Sequence, residues 1–350
     1  MKIDLHTHIL PERWPDWTRR TGYPGWVELE HHGTGCARMV RTLEGGQKQL
    51  FRDIGANCWD PGTRLRDCDG CGIAVQVLST VPVMFSYWAK PQDAYDLSRL
   101  LNDHIAEVCR AHPTRFVGLG TIPLQSPELA SRELERCVRE LGMPGVQIGS
   151  HVNGDNLDDP ALLAVFEAAA GLGAAIFVHP WEMLAKERMN KYWLSWLVGM
   201  PAETCLAICS VLMSGLLDRL PALRIAFAHA GGSFPGTVGR IDHGYHARPD
   251  LCATHELSRP PRDYLADSAT NRPARFFVDS LTHDEHALRQ VVRLLGPSRV
   301  ALGSDYPFPL GEACPGQMID SMQDLSAADK RHLLSGSALE FLNLPAAHFS

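Results

Sequence analysis

The stretch Ile3-Asp4-Leu5-His6-Thr7-His8 sets two imidazoles two residues apart at the end of a short apolar run. Side chains alternate across a strand, so His6 and His8 point the same way. Two imidazoles on one face can grip one metal ion, although solvated or core histidines give the same pattern. Seven further apolar runs follow, at Ile73–Ser79, Phe116–Thr121, Val146–Ser150, Ala175–His179, Ile225–His229, Phe276–Ser280 and Val300–Ser304. Strands buried on both faces read this way. Helical patterns separate most of them, over Asp93–His112, Pro127–Leu141, Pro160–Gly171, Ala202–Leu220 and Glu285–Leu295. Several open with Pro or an acidic residue in the first turn. Repeated strand–helix units of this α/β kind favour a parallel sheet with helices outside, and eight of them suggest closure into a (β/α)8 TIM-like barrel. An open doubly wound sheet is the alternative.

A barrel with insertions commonly runs from about 200 to more than 400 residues, so residues 1–350 are read as one domain. The strand spacing breaks once, between the first and second runs. There Trp14, Trp17, Trp26, His31 and His32 mark a small inserted subdomain over residues 14–47. With 45% hydrophobic and 21% charged residues the chain has ample apolar material for a core, which excludes a disordered or collagen-like protein. A net charge of −7 with no Lys/Arg run argues against nucleic acid as a partner, and an anionic substrate would need a local arginine site. The N-terminus lacks an apolar export signal. The segment Cys205–Leu217 is interrupted by Ser210, Ser214 and Gly215 and reads as a buried helix, not as a membrane span. Ten cysteines without a secretory signal point to reduced thiols in the cytosol. Cys68-Asp69-Gly70-Cys71 has no second such pair and reads as a reduced helical or turn pair.

Three more polar residues fall at predicted strand ends: His179 after Ile176-Phe177-Val178, His229 after Ile225-Ala226-Phe227-Ala228, and Asp305 after Leu302-Gly303-Ser304. The C-terminal strand ends of a barrel are where catalytic groups gather. A lone histidine there could be structural, and a lone aspartate a helix cap, but five together are hard to explain as packing. Imidazole and carboxylate donors suit zinc or a similar first-row ion with one position left open. His243, His246, His283 and His286 have no such placement, nor do His31 and His32, and all six read as solvated or structural.

The order His6-x-His8, His179, His229, Asp305 resembles the amidohydrolase superfamily in its metal-dependent decarboxylase branch. Longer stretches narrow the likeness: Asn57-Cys58-Trp59-Asp60-Pro61, residues 78–90, Leu197 to Thr204, and Gly303 to Glu312 resemble the aminocarboxymuconate semialdehyde decarboxylase family over nearly the whole chain. Departures lie mainly around Gly33–Gln47 and in surface helices.

Carried over by position, the resemblance implies one Zn2+ per subunit, held by His6, His8, His179 and Asp305, with His229 as general acid/base and no organic cofactor. One metal fits the absence of a lysine in Val146-Gln147-Ile148-Gly149. The substrate would be a small dicarboxylate that serves as its own electron sink. Arg52 and Arg240 would bind its carboxylates, since a guanidinium donates two parallel hydrogen bonds. Arg240 would come from the second subunit of a homodimer. Trp193 and Phe308 would wall the cavity. The same likeness implies a step of the kynurenine pathway that diverts a semialdehyde from quinolinate and NAD synthesis. Gly231-Gly232 after His229 fits either close backbone approach or a tight turn.

Overall fold

The computed structural model describes residues 1–349. Strands β1 (Ile3–Ile9), β5 (Val75–Thr80), β6 (Phe116–Thr121), β7 (Gly145–Gly149), β10 (Ala175–His179), β11 (Arg224–Phe227), β12 (Phe277–Asp279) and β13 (Val300–Ala301) form one eight-stranded sheet in that order. Every pairing in it is parallel. The two ends meet: Leu5 N donates to Leu302 O at 2.8 Å, Asp305 N to His6 O at 2.9 Å and His8 N to Tyr306 O at 2.8 Å. These bonds turn the sheet into the expected (β/α)8 barrel.

One set of side chains, among them Leu5, Val77, Leu119, Phe177, Ala226 and Ala301, forms a single cluster although its strand members come from seven strands. Only the barrel interior brings such residues together. The alternate set, including Leu78, Ile148, Val178, Phe227 and Val278, packs outward against helices through residues such as Leu134, Phe166, Ile208 and Leu288. Strand β1 changes face part-way. Its register slips between Asp4 and Thr7, so that Ile3 pairs with Val75 but His8 with Ser79. A bulge reverses the alternation, and it is why Ile3 and Leu5 line the interior below while His6 and His8 face inward above.

Helices α2 (Pro61–Cys71), α3 (Pro91–Ala111), α4 (Pro127–Arg139), α5 (Leu163–Leu172), α6 (Met200–Met213), α7 (Leu216–Arg219) and α8 (Phe234–Ala247) follow a short α1 (Trp17–Thr21). The continuous helix expected over Ala202–Leu220 is broken. Gly215 takes φ +71°, and a Cβ there would lie 2.6 Å from Leu257, so the chain turns where only glycine fits. With the π-helical turn Ser195–Gly199 ahead of it, α6 makes an apolar helix from Ser195 to Met213, long enough by composition to cross a bilayer. Half of it is buried, with Ile208, Val211 and Leu212 inside the barrel's outer core.

Between β1 and α2 lies an antiparallel sheet of β2 (Val27–Gly33), β3 (Cys36–Thr42) and β4 (Lys48–Gly55). The subdomain read over residues 14–47 takes in the first two strands, and β4, carrying Arg52, completes it. Trp17, Trp26, Met39, Ile54 and Trp59 pack it onto Val81, Val83 and Met84, which follow β5 at the barrel mouth. A two-stranded hairpin, β8 (His151–Val152) with β9 (Asp155–Asn156), rises beyond β7.

Arg64 of α2 is fully buried beneath the mouth. It donates to His8 O at 2.7 Å, Asn57 O at 3.0 Å, Thr7 Oγ1 at 3.1 Å and Gln76 Oε1 at 3.2 Å. Replacement by an apolar residue of similar length leaves those acceptors dry and unpaired. Arg64→Met is expected to lower unfolding stability by about 3–5 kcal/mol, read from the urea midpoint, and a loss below ~1 kcal/mol would contradict this role.

Candidate metal centre

His6 and His8 are fully buried at the upper end of β1. His6 Nδ1 donates to Asp279 Oδ2 at 2.7 Å, and His8 Nδ1 to the Thr80 carbonyl at 3.0 Å. Each bond commits one ring nitrogen and turns the other, Nε2, toward the barrel axis. There the two Nε2 atoms are 3.2 Å apart, and they lie 3.5 Å (His6) and 3.1 Å (His8) from Asp305 Oδ1. His179, the last residue of β10, repeats the arrangement: Nδ1 donates to Pro180 O at 2.9 Å, and its buried Nε2 has no hydrogen-bond partner among the described residues. His229 lies beyond β11 in a 3-10 turn, at φ +55°, with both ring nitrogens buried and unpartnered. Its Nε2 stands 4.0 Å from Asp305 Oδ2. Donor atoms of His6, His179, His229 and Asp305 all fall within 4.8 Å of one another.

Two ligands each about 2.0–2.2 Å from one ion stand at most ~4.4 Å apart. The spacings among His6, His8 and Asp305 satisfy that limit, and buried orphan nitrogens are what a cation would complete. The donor set therefore fits a first-row divalent ion. Protonation states agree in part. Burial pushes the His8 imidazole down and the His179 imidazole well below its usual value; in His179 the neighbouring histidines add to it. Burial and the His6 charge push His229 down to about 4. His6 goes the other way, because its Asp279 bond and charge outweigh burial. Burial favours the neutral acid at Asp305, but the His8 hydrogen bond and the His6, His8 and His229 charges hold its carboxyl well below the usual carboxylate range.

Asp279 is the residue that sequence reasoning passed over. It sits inside the run Phe276–Ser280, and an ionisable residue in a strand buried on both sides was the available signal. Besides His6 it accepts from the backbone of His229 and Ala230, both at 2.8 Å, so one carboxylate orients two members of the centre. Gly303 makes room for this: a Cβ there would meet Asp279 Cβ at 2.6 Å and His6 Cβ at 2.9 Å. Gly232, at φ +60°, brings the chain after His229 against α6, where a Cβ would lie 2.3 Å from Pro201 O.

Two cavities meet at the centre. A narrow one, about 30 Å³, is lined by His8, Arg52, His179, Trp193, Asp305 and Phe308, together with Phe51, Trp181 and Trp196. The Arg52 guanidinium packs over the Phe308 ring at 4.4 Å, and burial lowers its pKa. A wider cavity of about 590 Å³ exposes His229 and Asp305 from the side of α8. Trp196, Met200 and Leu310 belong to both. Thus Arg52, Trp193 and Phe308 share the cavity that reaches the metal donors, whereas Arg240 is an exposed residue of α8 that lines neither cavity of its own chain. Trp181 and Trp196 were not anticipated.

A protein-family model described as amidohydrolase matches residues 3–344. The chain is 56% identical over 344 residues, 98% of its length and 92% of the relative's, to 2-amino-3-carboxymuconate-6-semialdehyde decarboxylase of Dictyostelium discoideum. Its fold is similar to that of the IDCase of Metarhizium anisopliae in apo form, with a TM-score of 0.82, 22% identity and coverage of 98% and 97%. It is also similar to the 5-carboxyvanillate decarboxylase of Novosphingobium aromaticivorans complexed with manganese and 4-hydroxy-3-methoxy-5-nitrobenzoic acid, at TM-score 0.72, 26% identity and 82% of each chain.

The Asp279 carboxylate sets the orientation of two site histidines, so Asp279→Ala is expected to weaken metal affinity about 10–100-fold. Competition with a chromogenic chelator measures this, and an unchanged affinity would remove Asp279 from the centre. The barrel, the donors gathered at its mouth and these relatives lead to one assignment: the chain belongs to the amidohydrolase family, among its metal-dependent decarboxylases.

Proposed function

We propose that this enzyme converts 2-amino-3-carboxymuconate 6-semialdehyde to 2-aminomuconate 6-semialdehyde and carbon dioxide, with zinc as its metal. The observation that carries the reading is the 56% identity to the Dictyostelium decarboxylase, extending over the whole barrel and its site. Arg52 supports it: a half-buried guanidinium in an aromatic cavity beside the metal donors suits a planar, conjugated dianion. His6, His8, His179 and Asp305 would hold the ion, which when bound supplies Lewis acidity and stabilises developing negative charge.

The chain's own groups account for the rest. Arg52 donates to one substrate carboxylate and fixes its register. Phe308, Trp193, Trp181 and Trp196 flank the conjugated chain and exclude water. Cleavage of the bond to the departing carboxylate leaves an electron pair, which the enamine-aldehyde system accepts, and the vacated carbon then takes a proton. His229, unpartnered at both ring nitrogens and set beside Asp305, is placed to carry that proton.

Arg240 reaches the second carboxylate from another copy of the chain. Its exposure on α8 supports this, as does the run of exposed apolar residues Tyr192, Trp193, Leu197 and Val198 at the mouth, which a homodimer would cover. The reaction belongs to the kynurenine route of tryptophan breakdown, at the branch point, where it diverts the semialdehyde from quinolinate and NAD synthesis. A cytosolic setting suits ten cysteines that are all free thiols. A decarboxylase of an aromatic acid is the second reading, favoured by the likeness to the carboxyvanillate enzyme.

Freshly generated aminocarboxymuconate semialdehyde followed by absorbance is the direct test. Rapid, chelator-sensitive loss with carbon dioxide release and little quinolinate is the expected result; decay at the spontaneous rate alone would turn the assignment to the aromatic acids. His229→Ala is expected to keep the metal and lose turnover about 10²–10⁴-fold, whereas His179→Ala loses the metal; metal-free His229→Ala protein would reverse that division of roles. Arg52→Ala is expected to cost about 10–100-fold in kcat/KM. For the shared site, inactive His229→Ala and Arg240→Ala proteins should regain activity on mixing, since a hybrid dimer restores one complete site, and mixtures that stay inactive would refute it.

A further inference from the structure

Cys71 ends α2, and its sulfur does not face Cys68 of the same helix. It lies 3.6 Å from Cys314 Sγ, 243 residues away in sequence, and 3.4 Å from the Ala313 carbonyl. Cys314 is exposed and Cys71 partly so. Cys71 lines a cleft of about 590 Å³ between α2 and the segment Tyr306–Pro315, as do Ala313 and Pro315 on either side of Cys314, and the cleft is wide enough for a small oxidant to enter. That segment leaves the barrel at Asp305 and carries Phe308, whose ring lies 5.6 Å from that of His8 and beneath Arg52. Backbone bonds from His8 N to Tyr306 O at 2.8 Å and from Glu312 N to Ser304 O at 2.9 Å tie it to the barrel, and side-chain contacts tie its outer face: Tyr306 Oη donates to Asp67 Oδ2 at 2.6 Å, Lys2 Nζ to Pro315 O at 3.4 Å, and Cys71 Sγ to Ala313 O at 3.4 Å. The thiol pair sits at the far end of this strap.

The geometry points to Cys71 and Cys314 as a site of oxidative modification, a thiol pair that a peroxide or a low-molecular-weight disulfide converts into a disulfide strapping the post-β13 segment to α2. With a peroxide, the exposed Cys314 sulfur takes one oxygen to become a sulfenic acid, releasing water or an alcohol. The Cys71 sulfur then attacks it, the S–S bond forms, and the hydroxyl leaves as water with the Cys71 proton. Two thiols are oxidised by two electrons and the peroxide is reduced by two. With glutathione disulfide, the same bond forms through a mixed disulfide and releases two glutathione thiols. Burial and the neighbouring Cys314 push the Cys71 thiol up, which suits it to resolve an adduct on Cys314 in preference to reacting first. No substrate chemistry enters this inference, so it stands or falls apart from the proposed reaction.

The closed bond would join residues 243 positions apart in the chain, the case in which a cross-link restricts the unfolded chain most. The metal-loaded protein treated with hydrogen peroxide or oxidised glutathione is expected to yield a Cys71–Cys314 cross-linked peptide by mass spectrometry. Dithiothreitol should reverse it, and Tm should rise by ~5 °C or more. Cys314→Ser, at an exposed position, should abolish both effects, while Cys36→Ser, at another exposed thiol, should abolish neither. Cys71 that remains alkylatable while Cys314 is glutathionylated or over-oxidised would overturn the pairing, and a cross-link without a rise in Tm would overturn the strap.

Discussion

Three backbone hydrogen bonds along one seam hold the site and the fold in common. Where β1 meets the end of β13, Leu5, His6 and His8 exchange bonds with Leu302, Asp305 and Tyr306. The same contacts close the barrel and lay the Asp305 carboxylate against the two β1 imidazoles. A parallel barrel needs every strand paired on both sides to leave no open edge. Here that requirement also brings the first and last chemical groups together, so disturbing the seam disturbs fold and site at once.

Around the seam the site is built by side chains that hold other side chains. Asp279 bonds His6 and the backbone after β11; the Thr80 carbonyl fixes His8; the Pro180 carbonyl fixes His179. In each case Nδ1 is used and Nε2 is left facing the axis. Ser304, next to Asp305, donates through its backbone N to Asp4 Oδ1 at 3.0 Å, and burial raises the Asp4 carboxyl to about 7. Four imidazoles and a carboxylate packed this closely at the barrel mouth form a preorganised set of donors.

Much of this was legible in the sequence because the barrel repeats a local rule. Runs such as Phe116–Thr121 and Ala175–His179 coincide with strands to the residue, and the helix Glu285–Leu295 does as well. The runs ending at His229 and Ser304 are shorter in the structure, because polar residues at the mouth leave the ladder and take turn conformations: His229 and Asp305 both have φ near +55°. No periodicity announces such a departure. The bulge in β1 was equally hidden, since the spacing of His6 and His8 reads the same with or without it. Arg52 and the tryptophans at the mouth come from the β2–β4 sheet and from the irregular segment after β10. Their meeting depends on packing between distant segments, which a single chain read along its length does not encode locally.

The two ends of the donor set, His6 and Asp305, are separated by almost the whole chain. Domains emerge from the ribosome N-terminal end first, so a nascent chain carries its paired histidines through nearly all of synthesis with no carboxylate to complete them. A metal ion held by both ends would therefore be captured only by the nearly finished polypeptide, and a truncated product ending before β13 would lack the carboxylate for it.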